Sequence, residues 1–176
     1  MDVKVLETLE KARADRLAVA VVTDIASGAQ EVVTQRCADE HALAEALENG
    51  FRFDKSGVVS TERGEFFIHI HNPALRLLII GAVHIAQAIV PMAKAAGYDI
   101  TVIDPRGAFA TEDRFPGVTV LAVLPDEVLP GVVLDARTGF LALTHDPKVD
   151  DPALIAALQS ECFYIGALGS RRTQAA

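Results

Sequence analysis

The stretch Leu75-Arg76-Leu77-Leu78-Ile79-Ile80-Gly81-Ala82-Val83-His84-Ile85-Ala86-Gln87 sets the fold. Its aliphatic run is too short for a membrane span and is followed by a glycine turn. After the turn, apolar residues recur at helical spacing (Ile85, Ala88, Ile89, Met92, Ala96) until Gly97. Strand, glycine turn and helix in that order open a βαβ unit and a parallel sheet. The helix is predicted over 84–96 with the listed positions facing the core, and Pro91 inside it removes the N–H that the Gln87 carbonyl needs, so a bend is expected.

The same alternation continues downstream. Strands are predicted at 100–104, 118–123, 139–144 and 163–166. A short helical or turn segment is expected at 109–115, and an irregular connection around Pro125, Pro130 and Gly131. A helix over 151–160 is expected to open with Pro152 in its first turn and to bury Leu154, Ile155 and Leu158. The fold class is therefore α/β, a Rossmann-like doubly wound parallel sheet with right-handed connections.

Upstream of Asn72-Pro73 the pattern differs, and residues 1–73 are expected to form a small α+β N-terminal module ahead of a Rossmann-like domain at 74–176. A helix is predicted over 3–14. Residues 17–24 and 30–35 read as a hairpin around Ala26-Ser27-Gly28. Asp39 is placed as the N-cap of a helix over 40–48 that stops at Asn49-Gly50. A second hairpin joins 57–61 to 65–71 and alternates Phe66, Ile68 and Ile70 with Phe67, His69 and His71. His69 and His71 are expected on an exposed hairpin face rather than as a metal pair.

Composition narrows the function. With 16 Lys+Arg against 24 Asp+Glu the net charge is −8, opposite to the field a nucleic-acid backbone needs, so no nucleic-acid partner is expected. No apolar run approaches the roughly 20 residues of a membrane span, and acidic residues interrupt the first 16 positions, so a cytoplasmic chain is expected. Cys37 and Cys162 are far apart and are expected as buried small hydrophobes rather than a disulfide or a zinc pair.

Ligands of such sheets bind beyond the carboxyl ends of the strands, where this chain concentrates polar residues. Gly81, Ala82 and His84 follow the first strand, Asp104 and Arg106 the second, Thr144, His145 and Asp146 the fourth, and Gly166, Gly169, Ser170 and Arg171 the fifth. Gly81, Val83 and Ala86 occupy the three positions of a dinucleotide fingerprint, but valine replaces the middle glycine, which weakens an NAD(P) reading. Asp104, at 104 − 81 = 23 positions after Gly81, stands either where a ribose-binding carboxylate belongs or as a turn residue before proline. His84 either donates to a phosphate or caps the turn; His145 either meets ligand or belongs to a turn before Pro147. The last loop, with two glycines and a double arginine, is a candidate anion grip. No set of residues has zinc spacing, no metal is expected, and no hydrolase elbow, zincin helix or P-loop is present.

Five blocks in order resemble the XdhC/CoxI family of maturation factors for xanthine dehydrogenase and carbon monoxide dehydrogenase: 77–87, 102–106, 109–116, 143–148 and 164–173. The resemblance implies a Rossmann-like domain that transiently binds the molybdopterin-type molybdenum cofactor, supports its sulfuration by a cysteine desulfurase and delivers it to an apo molybdenum hydroxylase. It implies a cofactor-insertion chaperone rather than an enzyme with catalytic residues, and leaves room for a homo-oligomer. The family residues carried over are Gly81, His84, Asp104, Arg106, His145, Asp146, Gly166, Gly169, Ser170 and Arg171. Val83 departs from the family's glycine, Cys37 does not reproduce its Gly-Gly-Cys segment, and relatives continue beyond the position of Ala176, so a missing C-terminal segment is expected. The alternative from the residues alone is an NAD(P)-dependent oxidoreductase using the same cleft, with Asp104 on the ribose and His145 as acid/base.

Overall fold

The computed structural model describes residues 3–169, so Ser170 and Arg171 lie outside the described residues. The chain divides into two compact units, Met1–Pro73 and Ala74–Ala176.

In the first unit, helix α1 (Val3–Ala14) precedes strands β1 (Val19–Asp24) and β2 (Gln30–Thr34). Helix α2 (Ala44–Phe53) then leads to β3 (Gly57–Thr61) and β4 (Gly64–His71). The strands form an antiparallel sheet in the order β2-β1-β4-β3. Period-two alternation puts Ala20, Val22, Val33, Ile68 and Ile70 on one face, where they pack with Leu43, Leu47 and Phe51. α1 packs against β1 and β2.

Two expectations need correction in this unit. α2 starts at Ala44 rather than residue 40, because residues 38–43 are held in turns: the His41 ring accepts the Leu43 N–H at 3.0 Å and the Ala44 N–H reaches the His41 carbonyl. Asp39 is therefore not its N-cap. Nor does Asn49-Gly50 end the helix. Gly50 is buried against Ile70, where a Cβ would fall 2.8 Å from the Ile70 Cδ1 atom, so its lack of a side chain serves packing within the helix. The helix stops at Asp54, which takes a left-handed conformation with φ 51°, and Asn72 Nδ2 donates to the Phe51 carbonyl at 2.8 Å. Cys37 is exposed, not buried, because its short 3-10 turn lies outside the core, whereas Cys162 is half-buried.

In the second unit, β5 (Arg76–Ile80), α3 (His84–Ala95), β6 (Asp99–Ile103) and β7 (Thr119–Leu121) are followed by α4 (Pro125–Val128), β8 (Thr138–Ala142), α5 (Pro147–Leu158) and β9 (Tyr164–Ala167). All five strands are parallel, in the order β7-β6-β5-β8-β9. The central strand β5 is buried on both faces. Leu77 and Ile79 join Ala82, Ala86, Val90 and Phe115 on the α3 side, while Leu78 and Ile80 join Phe140, Val149, Ala153 and Ala157 on the other.

Both long helices turn a different face to the sheet than the apolar spacing suggests. α3 buries Ala86 and Val90 and leaves Ile85 and Met92 exposed. α5 begins a turn earlier than expected, with Pro147 at its first position and Pro152 in its interior. It buries Val149, Ala153 and Ala157, with Leu154 half-buried and Ile155 and Leu158 exposed. In each case small residues form the contact ridge, which lets the helix approach the sheet closely. The connection after β7 is more regular than expected, forming α4 and a 3-10 turn at Leu129–Gly131 with Leu129 buried. At the amino ends of β5 and β8, Arg76 Nη2 donates to the buried Thr138 hydroxyl at 3.2 Å, and that hydroxyl donates to Asp135 at 2.7 Å. Among the described residues, no helix is long and apolar enough to cross a membrane.

Candidate functional site at the carboxyl ends of the strands

The strand order reverses between β5 and β8, whose continuations leave the sheet in opposite directions and open a crevice at their carboxyl ends. Gly81 ends β5 with φ 110°, a conformation strained for any L side chain, and a Cβ there would fall 2.9 Å from Thr144 Cγ2. The first strand end and the fourth therefore touch at Gly81 and Thr144.

Asp104 is completely buried. Its Oδ2 accepts the Ala82 N–H at 2.8 Å and Arg106 Nη2 at 2.7 Å. Its Oδ1 accepts the Arg106 N–H and Nε, both at 2.9 Å. Burial by itself would raise this carboxyl's pKa, but the hydrogen bonds from Arg106 and Ala82 outweigh it and hold the group below the ordinary carboxylate range. Arg106 is raised in turn, first by its bond to Asp104, with Asp146 and Asp150 adding to the field. The carboxylate is thus spent on fixing the loop after β5 and one guanidinium, so no lone pair is left over for a ribose.

Arg114 grips the other backbone polar group of Ala82. Its Nη1 donates to the Ala82 carbonyl at 3.0 Å and the Phe109 carbonyl at 2.9 Å, and Nη2 donates to Gln87 Oε1 at 2.9 Å. Both backbone polar groups of Ala82 are consequently satisfied by side chains. The Gly81 N–H is also taken, by the Ile103 carbonyl at 2.8 Å. What remains open is the first turn of α3, where the N–H groups of His84, Ile85 and Ala86 have no acceptor among the described residues. Val83 occupies the N-cap in an extended conformation with no side-chain cap, and it packs against the cluster beneath α3. The His84 side chain is exposed and makes no hydrogen bond among the described residues, so it does not cap the turn.

The loop after β8 is held by Asp150, buried in the first turn of α5. Its carboxylate accepts the Thr144 hydroxyl at 2.7 Å and the His145 N–H at 2.9 Å. His145 takes φ 62° and is exposed. Asp146 caps α5 by accepting the Lys148 N–H at 3.0 Å. Of the two long helices that begin at this rim, α5 is capped by Asp146 and α3 has no side-chain cap; the one-turn α4 beyond β7 has none either. Gly166 sits in the edge strand β9, where a Cβ would fall 2.9 Å from Leu141 Cδ2, so packing alone requires it; Gly169 is exposed.

The structure therefore brings Gly81, Ala82, Asp104, Arg106, Thr144 and Asp146 to one rim, with His84 and His145 on the same strand-end loops. Gly166 is placed one strand further out, and Ser170 and Arg171 are outside the described residues. The sequence reasoning missed Arg114 and Asp150. Asp150 becomes visible once α5 is started at Pro147, since it then stands in the first helical turn next to Asp146. Arg114 carried no signal for its grip on the rim, because two of its three partners, Gln87 and Ala82, are 27 and 32 positions upstream. Among the described residues no group of three or more His, Cys, Asp or Glu side chains is arranged to hold a metal ion.

Against known proteins, residues 77–176 match the family described as the XdhC Rossmann domain, more than half of the chain. Over 101 residues the chain is 34% identical to the Escherichia coli K12 protein named molybdenum cofactor insertion chaperone PaoD, an alignment covering 57% of this chain and 26% of that one. Over 106 residues it is 31% identical to Escherichia coli K12 YqeB, covering 60% of this chain and 20% of that one. The chain thus spans about a quarter or less of the length of these relatives. A Bacillus halodurans crystal structure described as a xanthine dehydrogenase superposes with a TM-score of 0.66 at 19% identity, over 98% of this chain and 54% of that one, a likeness of fold.

Proposed function

Starting from the fact that this chain belongs to the XdhC Rossmann-domain family, we propose that it binds the molybdenum-pterin cofactor at the β5–β6–β8 rim and passes it to an apo molybdenum hydroxylase of the xanthine or carbon monoxide dehydrogenase type. The carrying observation is the uncapped first turn of α3. Three N–H groups with no acceptor among the described residues and the positive end of a 12-residue helix face the rim, a receptor for an anionic group such as a pterin's phosphate. Likeness to a relative named an insertion chaperone selects the molybdenum cofactor among anions that such a site accepts.

The residues present fit such a group. α3 supplies amides, Arg106 supplies a fixed cation, and the exposed His84 and His145 supply donors for polar edges. Ser170 and Arg171 are proposed as further anion ligands from the sequence. Bound cofactor supplies the redox chemistry of the client enzyme, with sulfuration by a cysteine desulfurase preceding its transfer. The chain itself orients and shields: Asp104 and Arg114 hold the Ala82 peptide, and Asp150 holds Thr144 and His145, so the receptor is preorganised. An NAD(P) site has less support, since Asp104 already has four donors and valine stands at the middle glycine position.

Anaerobic titration with molybdopterin, run beside NAD(H) and NADP(H), tests the reading. Saturable molybdopterin binding that weakens with added phosphate is expected. Saturable nicotinamide-nucleotide binding without molybdopterin binding would replace this reading with an oxidoreductase.

A further inference from the structure

The connection from β6 to β7 builds a feature that anion binding does not require. Phe109 is 44% exposed, a large aromatic ring left partly in water. Arg106 lies over it with Cζ 4.8 Å from the ring centroid, and Arg114 approaches to 5.2 Å. Both guanidiniums are anchored by hydrogen bonds. Arg114 is held by three hydrogen bonds, and Arg106 Nε and Nη2 are both engaged by the buried Asp104 carboxylate. Arg106 nonetheless remains 47% exposed, and its Nη1 has no acceptor among the described residues. The result is a half-exposed guanidinium whose edge is fixed by a carboxylate and whose Cζ lies over a phenyl ring.

Such an arrangement is costly to keep for stability alone. Asp104 gains its neutralising partner from any cation, and an exposed aromatic ring gains little by burial under an exposed arginine. A fixed, planar, half-exposed guanidinium is instead suited to stacking with a π-system, where a lysine would offer only a point charge. We propose that Arg106, backed by Phe109, is a stacking subsite for the planar heterocycle of the ligand, with Nη1 donating to a ring carbonyl or ring nitrogen. The inference rests on the carrier reading above and deepens it: this rim recognises the flat bicycle of a pterin, or a nucleobase attached to it, and not only its phosphate. It also assigns Phe109, a residue outside the strand-end set, as a positioning residue that acts through Arg106. Arg114 is a positioning residue that fixes the Phe109 turn and the Ala82 peptide together.

The chain contains no tryptophan, so the fluorescence of an oxidised pterin phosphate reports its binding without background from indole. With the full chain, quenching of that fluorescence on binding is expected, with inorganic phosphate as the ringless control probe and cytidine and guanosine monophosphates as nucleobase probes. Phe109→Leu and Arg106→Lys are each expected to weaken pterin binding about ten-fold, the size of one lost stacking contact, while phosphate competition stays within about two-fold in Phe109→Leu. Pterin affinity unchanged in both folded variants overturns the stacking subsite and leaves the carrier reading standing. Nucleotide binding that depends on Phe109, with no pterin binding, supports the subsite and overturns the carrier reading. A wild-type chain that binds neither ring overturns both.

Discussion

The two sheets of this protein solve the same packing problem in different ways. The antiparallel sheet of the first unit packs its inner face on α2, and along β4 buried Ile68 and Ile70 alternate with exposed Phe67 and His69, whereas β1 is buried from Val19 to Val22. On its outer face α1 packs against β1 and β2, while Phe67 and His69 of β4 stay exposed. The parallel sheet of the second unit is covered on both faces, so β5 reads as an uninterrupted aliphatic run. A strand buried on both sides has nowhere to carry polar side chains except its ends. That is why chemistry collects at the carboxyl rim of the second sheet, while the polar residues of the first are spread along a face.

Glycine substitutions sharpen this contrast most strongly. Gly81→Ala forces a side chain into a left-handed backbone and against Thr144 at the switch point, with an expected loss of about 3 kcal/mol in chemical denaturation. Gly50→Ala in the first unit meets mainly the tip of the Ile70 side chain and gains helix propensity. Its expected change stays within about 1 kcal/mol. Equal effects at the two positions would break the comparison.

Asp104→Asn comes next. It removes the charge that neutralises Arg106 and leaves an amide donor facing the Ala82 N–H. A loss of about 2–3 kcal/mol is expected, part of the ion pair being in water. Because the folded carboxyl titrates below its ordinary value near 3.8, its contribution is complete above that value and drains as the pH falls from there through the lowered one. The variant should therefore lose part of the acid limb seen in wild-type stability.

The smallest effect is expected at His71. Its ring lies 4.1 Å from that of His69, centroid to centroid, and its Nε2 is buried with no partner among the described residues. Burial lowers its pKa, and the neighbouring His69 and Arg13 lower it further. A neutral imidazole is thus favoured in the folded state. Its contribution is full above the ordinary value near 6.5 and is lost as the pH falls from there through the lowered one. His71→Leu should flatten the stability profile of the first unit just below neutrality, as followed by thermal unfolding across pH 5–8 (roughly one and a half units either side of free histidine). A profile identical to wild type would remove His71 from the account.

The α/β class was legible from the 75–87 stretch because strand and helix periods differ and glycines punctuate them. The buried faces of α3 and α5 were not. Counting large apolar residues selects Ile85, Met92, Ile155 and Leu158, whereas the contacts are made by Ala86, Val90, Ala153 and Ala157. Close approach of a helix to a sheet rewards small side chains, and hydrophobicity alone does not reveal that. At the site, the strand-end positions were visible because the fold rule places them there. The use of the Asp104 carboxylate, the Arg114 clamp and the Asp150 anchor were not, since each depends on partners brought together only by folding.

Amide hydrogen exchange with and without bound molybdopterin tests the central claim most directly, because it reads the open α3 turn itself. Slowed exchange at residues 83–86 and 104–110, with little change across strands 57–71, is the predicted result. Saturable binding that leaves 83–86 unprotected, or protects the first unit instead, would contradict it.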